Sequence, residues 1–81
     1  MKRYIKCKTQ VVTLSDVINA LQSSKYRDNI FKHHGEYVLQ TEGSEYIIDV
    51  KYNTIYFFDA HTSDIAVSYP SIEAMKSGLH M

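Results

Sequence analysis

Eighty-one residues and 9.4 kDa make one small domain, and residues 1–81 are taken as a single unit. Nine Lys and Arg balance nine Asp and Glu, and 44% hydrophobic with 22% charged residues is a globular composition rather than a disordered one. The single cysteine, Cys7, excludes an internal disulfide, four scattered histidines give no zinc-finger spacing, and no apolar run approaches the roughly 18 residues of a membrane span, so the expectation is a cytoplasmic chain with no metal, no cofactor and no membrane partner.

In chain order, Lys2 to Thr9 alternates, with Ile5 and Cys7 on one face and Lys2, Tyr4, Lys6 and Lys8 on the other, the period of a half-exposed strand. Thr13-Leu14-Ser15-Asp16 reads as a capping box, and Leu14, Val17, Ile18 and Leu21 form one apolar stripe of a helix ending near Ser23-Ser24. Residues 25–35 fit two patterns. Tyr26, Ile30, Phe31 and Gly35 suit a second short helix, towards which the pattern leans, and Ile30-Phe31-Lys32 suits a short strand.

The remainder predicts an antiparallel meander. Strands run Tyr37–Thr41, Glu45–Tyr52, Ile55–Asp59 and Ile65–Tyr69, with turns at Glu42-Gly43-Ser44 and Asn53-Thr54 and a polar loop at Ala60–Asp64. Alternation places Tyr46, Ile48, Val50 and Tyr52 on one face. Pro70 stops the last strand, Ser71 caps a helix carrying Ile72 and Met75, and Gly78 ends it. The fold class is α+β, a two-layer sandwich with an antiparallel sheet of four to five strands, one main amphipathic helix and a short C-terminal helix, in the order β-α-(α)-β-β-β-β-α. Each buried tyrosine hydroxyl needs a partner, so several of the seven tyrosines are expected half-buried at the surface.

Charge is unevenly distributed along the chain. Residues 1–32 carry Lys2, Arg3, Lys6, Lys8, Lys25, Arg27 and Lys32 against Asp16 and Asp28, and residues 33–81 carry Lys51 and Lys76 against seven acids. The acidic half surrounds a tyrosine-rich meander. Glu42, Glu45, Asp49 and Asp64 with Tyr46, Tyr52 and Tyr56 form a candidate protein-binding face, on which carboxylates supply steering and tyrosines supply contact area. The basic half supports an alternative, in which Lys2, Lys6, Lys8, Lys25 and Arg27 track phosphates and Tyr4 stacks on a base. Lysines on an edge strand also serve simply to prevent strand-to-strand association.

Catalytic constellations are weak. Cys7 lies between Lys6 and Lys8, which would favour its thiolate, but shares its face with Ile5 and reads as a small core residue. His33 and His34 point to opposite faces if they lie on a strand. Asp59, His61 and Asp64 share one loop, where Asx turns explain the same residues without metal or acid–base chemistry. The glycines form no phosphate-binding loop, and the expectation is a protein that is not an enzyme.

Residues 55–79, IYFFDAHTSDIAVSYPSIEAMKSGL, form a strand, a turn around Asp59 and Thr62, a second strand and a Pro-Ser-capped helix. This segment is similar to the opening of the NUMOD-type modules of phage homing endonucleases, which bind DNA. The order α-β-β-β-α within residues 13–79 resembles double-stranded-RNA-binding domains. At the level of type, a short free-standing α+β chain with an acidic, aromatic surface resembles small phage-encoded anti-defence proteins such as anti-CRISPRs. That likeness implies a stand-alone inhibitor or adaptor that occupies a partner protein's functional surface, including the nucleic-acid-binding surface of a complex. The alternative is a small DNA- or RNA-binding module, and under either a homodimer through a free sheet edge is plausible.

Overall fold

The computed structural model describes residues 11–81. The expected strand over Lys2–Thr9, with Lys2, Tyr4, Lys6, Cys7 and Lys8, lies outside the described residues. Helix α1 spans Leu14–Gln22 and opens as its capping signal predicts, with the Asp16 amide donating to Thr13 Oγ1 at 3.1 Å. Its stripe buries Val17, Ile18 and Leu21, and Leu14 packs beside them.

Residues 25–35 divide between the two candidate patterns. Arg27–Asn29 form one 3₁₀ turn, and Ile30–His33 then run as strand β1, so the leaning towards helix is corrected over those four residues. The Asn29 side-chain amide ties the turn to the Gln40 carbonyl at 2.8 Å. Strands β2 (Glu36–Thr41), β3 (Ser44–Lys51), β4 (Thr54–Asp59) and β5 (Ile65–Tyr69) follow, and the five strands form one antiparallel sheet in sequential order. Three of the four connections are two-residue turns. His34-Gly35 and Tyr52-Asn53 hold both residues at positive φ, the geometry that matches the twist of the flanking strands. Tyr52, expected as the last residue of β3, therefore sits in a turn, 92% exposed.

Helix α2 (Ile72–Gly78) is capped by Ser71 Oγ, which accepts from the Ala74 amide at 3.1 Å. Its end differs from expectation. The left-handed residue is His80 (φ 58), with Met81 N–H bonded to the Lys76 carbonyl and His80 N–H to the Ser77 carbonyl. Gly78 is instead the last helical residue, and a Cβ there would lie 2.6 Å from Tyr69 Cε1. A side chain at this position would need the Tyr69 ring, which lies against the helix, to shift.

Both helices cover the same face of the sheet. Val17, Ile18 and Leu21 of α1 and Met75 of α2 form one cluster with Leu39, Ile48, Ile55 and Phe57. The tyrosines behave as expected from their hydroxyls. Among the described residues none is buried, and Tyr26, for one, donates to the Leu79 carbonyl at 3.2 Å. No helix among the described residues is long and apolar enough to cross a membrane.

Candidate functional site

The strand register places a second apolar group on the sheet face away from the helices. Phe31 pairs with Val38, Val38 with Ile47, Ile47 with Phe58 and Phe58 with Ile65. Directly paired residues point to the same face, so Phe31, Val38, Ile47 and Phe58 make one apolar row crossing β1 to β4, and Ile65 follows at the end of the row across a register shift in the β4–β5 pairing. None belongs to the cluster under the helices. Val38 is only 7% exposed although it lies outside that cluster, whereas Phe31 and Ile65 at the two ends are 41% and 55% exposed. Tyr56 extends the patch by stacking on Phe58, with ring centroids 5.8 Å apart and planes 26° from parallel.

An antiparallel sheet with one solvated face normally alternates apolar inwards and polar outwards. Here the outward face is apolar on β1 to β4, exposed at Phe31, half-buried at Ile47 and Phe58 and buried at Val38, and apolar surface left on a sheet face marks a candidate interaction surface. Beside the row the face turns polar. Glu36 and Asp49 lie two residues from Val38 and Ile47 on one side, and Glu45 lies two residues from Ile47 on the other. Gln40 Nε2 donates to Glu45 Oε2 at 3.0 Å across the β2–β3 pair, which fixes that carboxylate beside the row. Lys51, at the far end of β3, is the one Lys or Arg among the described residues that strand alternation sets on this face.

The expected protein-binding residues divide three ways. Glu45, Asp49 and Tyr56 lie together on the open face, with Asp49 directly opposite Tyr56. Tyr46 lies on the opposite, helix-covered face, packed against the core and edge-on to Phe57 at 6.4 Å. It is therefore separated from Tyr56 by the thickness of the sheet. Glu42 and Tyr52 occupy the turns at opposite ends of β3. Asp64 sits in the β4–β5 loop near exposed Ile65.

The row itself was missed, although the sequence carries a signal for it. Ile30-Phe31, Val38-Leu39, Ile47-Ile48 and Phe57-Phe58 are adjacent apolar pairs, one on each of β1 to β4. A pair on a strand puts one apolar side chain on each face, and here the outward members of the four pairs stand directly opposite one another.

The other constellations resolve into local structure. Asp59 Oδ1 accepts from the His61 and Thr62 amides at 2.8 and 3.2 Å, and Asp64 N–H donates to Thr62 Oγ1 at 3.2 Å. The Asp59 carboxylate thus builds the loop as an Asx turn. His33 ends β1 and His34 opens the turn, their rings edge-to-face at 4.0 Å. Among the described residues no three His, Cys, Asp or Glu side chains converge as a metal site. Lys25 and Arg27 are exposed near the 3₁₀ turn. Lys25 lines a groove of about 680 Å³ between the helices, which also holds Lys76, His80 and the opposing Asp16. The remaining phosphate-tracking residues, Lys2, Tyr4, Lys6 and Lys8, lie outside the described residues.

No protein-family model, curated protein or solved structure matches the chain.

Proposed function

We propose that the chain is a protein-binding module of the cytoplasm, an inhibitor or adaptor that works by laying the open face of its sheet over a partner's functional surface. The observation that carries this reading is the apolar row Phe31, Val38, Ile47 and Phe58, continuous in register across β1 to β4 on the face away from the helices, with exposed Ile65 next to its end. Tyr56 and Phe58 supply rigid aromatic area of the kind that dominates binding energy at interfaces. The helix side already provides the core, so among the described residues Phe31, Ile47, Phe58 and Ile65 keep apolar surface that a partner can cover.

The test replaces the two most exposed members of the row. Phe31→Asp with Ile65→Asp leaves the helix-side cluster intact and puts two charges into the patch. Tagged wild-type chain is expected to retain a near-stoichiometric protein from nuclease-treated lysate, and the double variant, melting within a few degrees of wild type, is expected to lose it. Equal retention by both would place binding elsewhere on the molecule and overturn the reading.

A further inference from the structure

We infer that the occupant of the open face is a basic amphipathic helix of a partner protein, an inference that rests on the open face being the binding surface. The in-register row is narrow, widened only by Tyr56 beside Phe58, and crosses three strand spacings from β1 to β4, which at about 4.8 Å each is roughly 14 Å. Its occupant must therefore present a linear apolar stripe of that length. A helix advancing about 1.5 Å per residue covers that length in roughly 10 residues, with apolar positions at i, i+3, i+4 and i+7 spanning about 10 Å of backbone and their side chains the rest.

The flanks set the sign of charge. Glu36 and Asp49 border the row on one side, with His33 opposite Glu36 and Lys51 at the far end of β3 beyond Asp49, and Glu45 borders it on the other, its carboxylate held by Gln40. A stripe flanked on both sides by Lys or Arg meets carboxylates on both sides, and this complementarity speeds the encounter and fixes the orientation. The same carboxylates disfavour three other occupants. A nucleic acid or an anionic lipid surface brings phosphates towards them. A second copy of this chain, stacked row on row about a two-fold axis, sets carboxylates against carboxylates.

The experiment titrates two synthetic 18-residue peptides into the full ¹⁵N-labelled chain and follows its amide resonances. Both peptides carry leucine at i, i+3, i+4 and i+7, and the positions flanking the stripe are lysine in one and glutamate in the other. The lysine peptide is expected to shift the amides of Phe31, Val38, Ile47, Phe58 and Ile65, to become helical on binding, and to bind more weakly as salt rises. The glutamate peptide is expected to leave those amides in place. Glu36→Gln, Glu45→Gln and Asp49→Asn combined should weaken the lysine peptide about tenfold, the sum of three modest rim contributions.

Equal binding of both peptides at the row would overturn the basic-partner inference while leaving the open face as the binding surface. Binding of neither peptide at the row would overturn the inference, and the capture comparison above would separately decide the broader proposal. Row amides that shift on dilution of the free chain would make a second copy the occupant. Nuclear Overhauser contacts between the row and Lys2–Lys8 in the free chain would make this chain's own basic segment the occupant. Either result overturns the assignment to a partner helix.

Discussion

Phe57 and Phe58 are the same residue type, adjacent on one strand, and they serve the two faces of the sheet differently. Phe57 is 1% exposed, lies in the cluster under both helices, and meets Tyr46 and Tyr69 edge-on at 6.4 and 5.9 Å. Phe58 is half-buried, outside that cluster, and stacks on Tyr56 at 5.8 Å. One face is closed by its own helices and the other is apolar without such a cover among the described residues. The comparison separates two duties. Burial under the helices stabilises the fold, and the apolar row beyond it, buried only at Val38, leaves surface that a further contact can remove from water.

The largest test of this division removes each ring in turn. Phe57→Ala is expected to cost about 3–5 kcal/mol, a large fraction of the roughly 4–12 kcal/mol available to a domain of this length. It should lower the melting temperature by more than ten degrees or prevent folding. Phe58→Ala is expected to cost about 1 kcal/mol, because its ring is only partly removed from water, and to weaken partner retention severely. Denaturant unfolding measures the first quantity and capture of the partner the second. If the two variants lost equal stability, both faces would be structural and the division would collapse.

A smaller test probes how tightly the helix side is closed. Gly78 carries the end of α2 against the Tyr69 ring, and an added Cβ would fall 2.6–2.9 Å from three atoms of that ring. The ring is itself held edge-on against Phe57, so relief requires moving a core contact. Gly78→Ala is expected to destabilise by about 1–3 kcal/mol, as overpacking does, despite the usual gain from alanine in a helix. An increase in stability would show a helix side loose enough to absorb the methyl group.

The two faces were not equally legible in the sequence. Features with a local cause could be read directly. Thr13 and Ser71 cap their helices through their own side-chain oxygens, three residues from the amides they accept. Leu14, Val17, Ile18 and Leu21 show the helical period within one element. Strand β1 was ambiguous because four residues, Ile30–His33, are too few to distinguish a period of two from one of 3.6. The assignment of Tyr46 and Tyr56 to one face failed for a different reason. Strand β4 is apolar in both phases, Ile55 and Phe57 against Tyr56 and Phe58, so its alternation does not say which pair faces inwards. Pairing with β3 decides it, since Asp49 opposite Tyr56 and Ile48 opposite Phe57 send the two tyrosines apart. Tyr52 was displaced by one residue of turn placement, which is enough to remove a side chain from a strand face.

The smallest effect sharpens the comparison most finely, because it separates charge from packing on the open face. Glu36 is exposed and Glu45 and Asp49 are partly so, and Glu45 accepts a hydrogen bond from Gln40 that a neutral glutamine can also accept. Glu36→Gln, Glu45→Gln and Asp49→Asn change little volume and leave the row intact. Each is expected to shift stability by no more than about 0.5 kcal/mol, the usual range for a surface position away from special contacts. Among the described residues the closed face offers no comparable substitution, because every buried residue there is apolar and none is charged. Denaturant midpoints unchanged to within that range, together with slower association and a flatter salt dependence, would assign these carboxylates to recognition. Midpoints that fell markedly would instead tie them to the sheet, and the open face would then owe its acidic rim to folding.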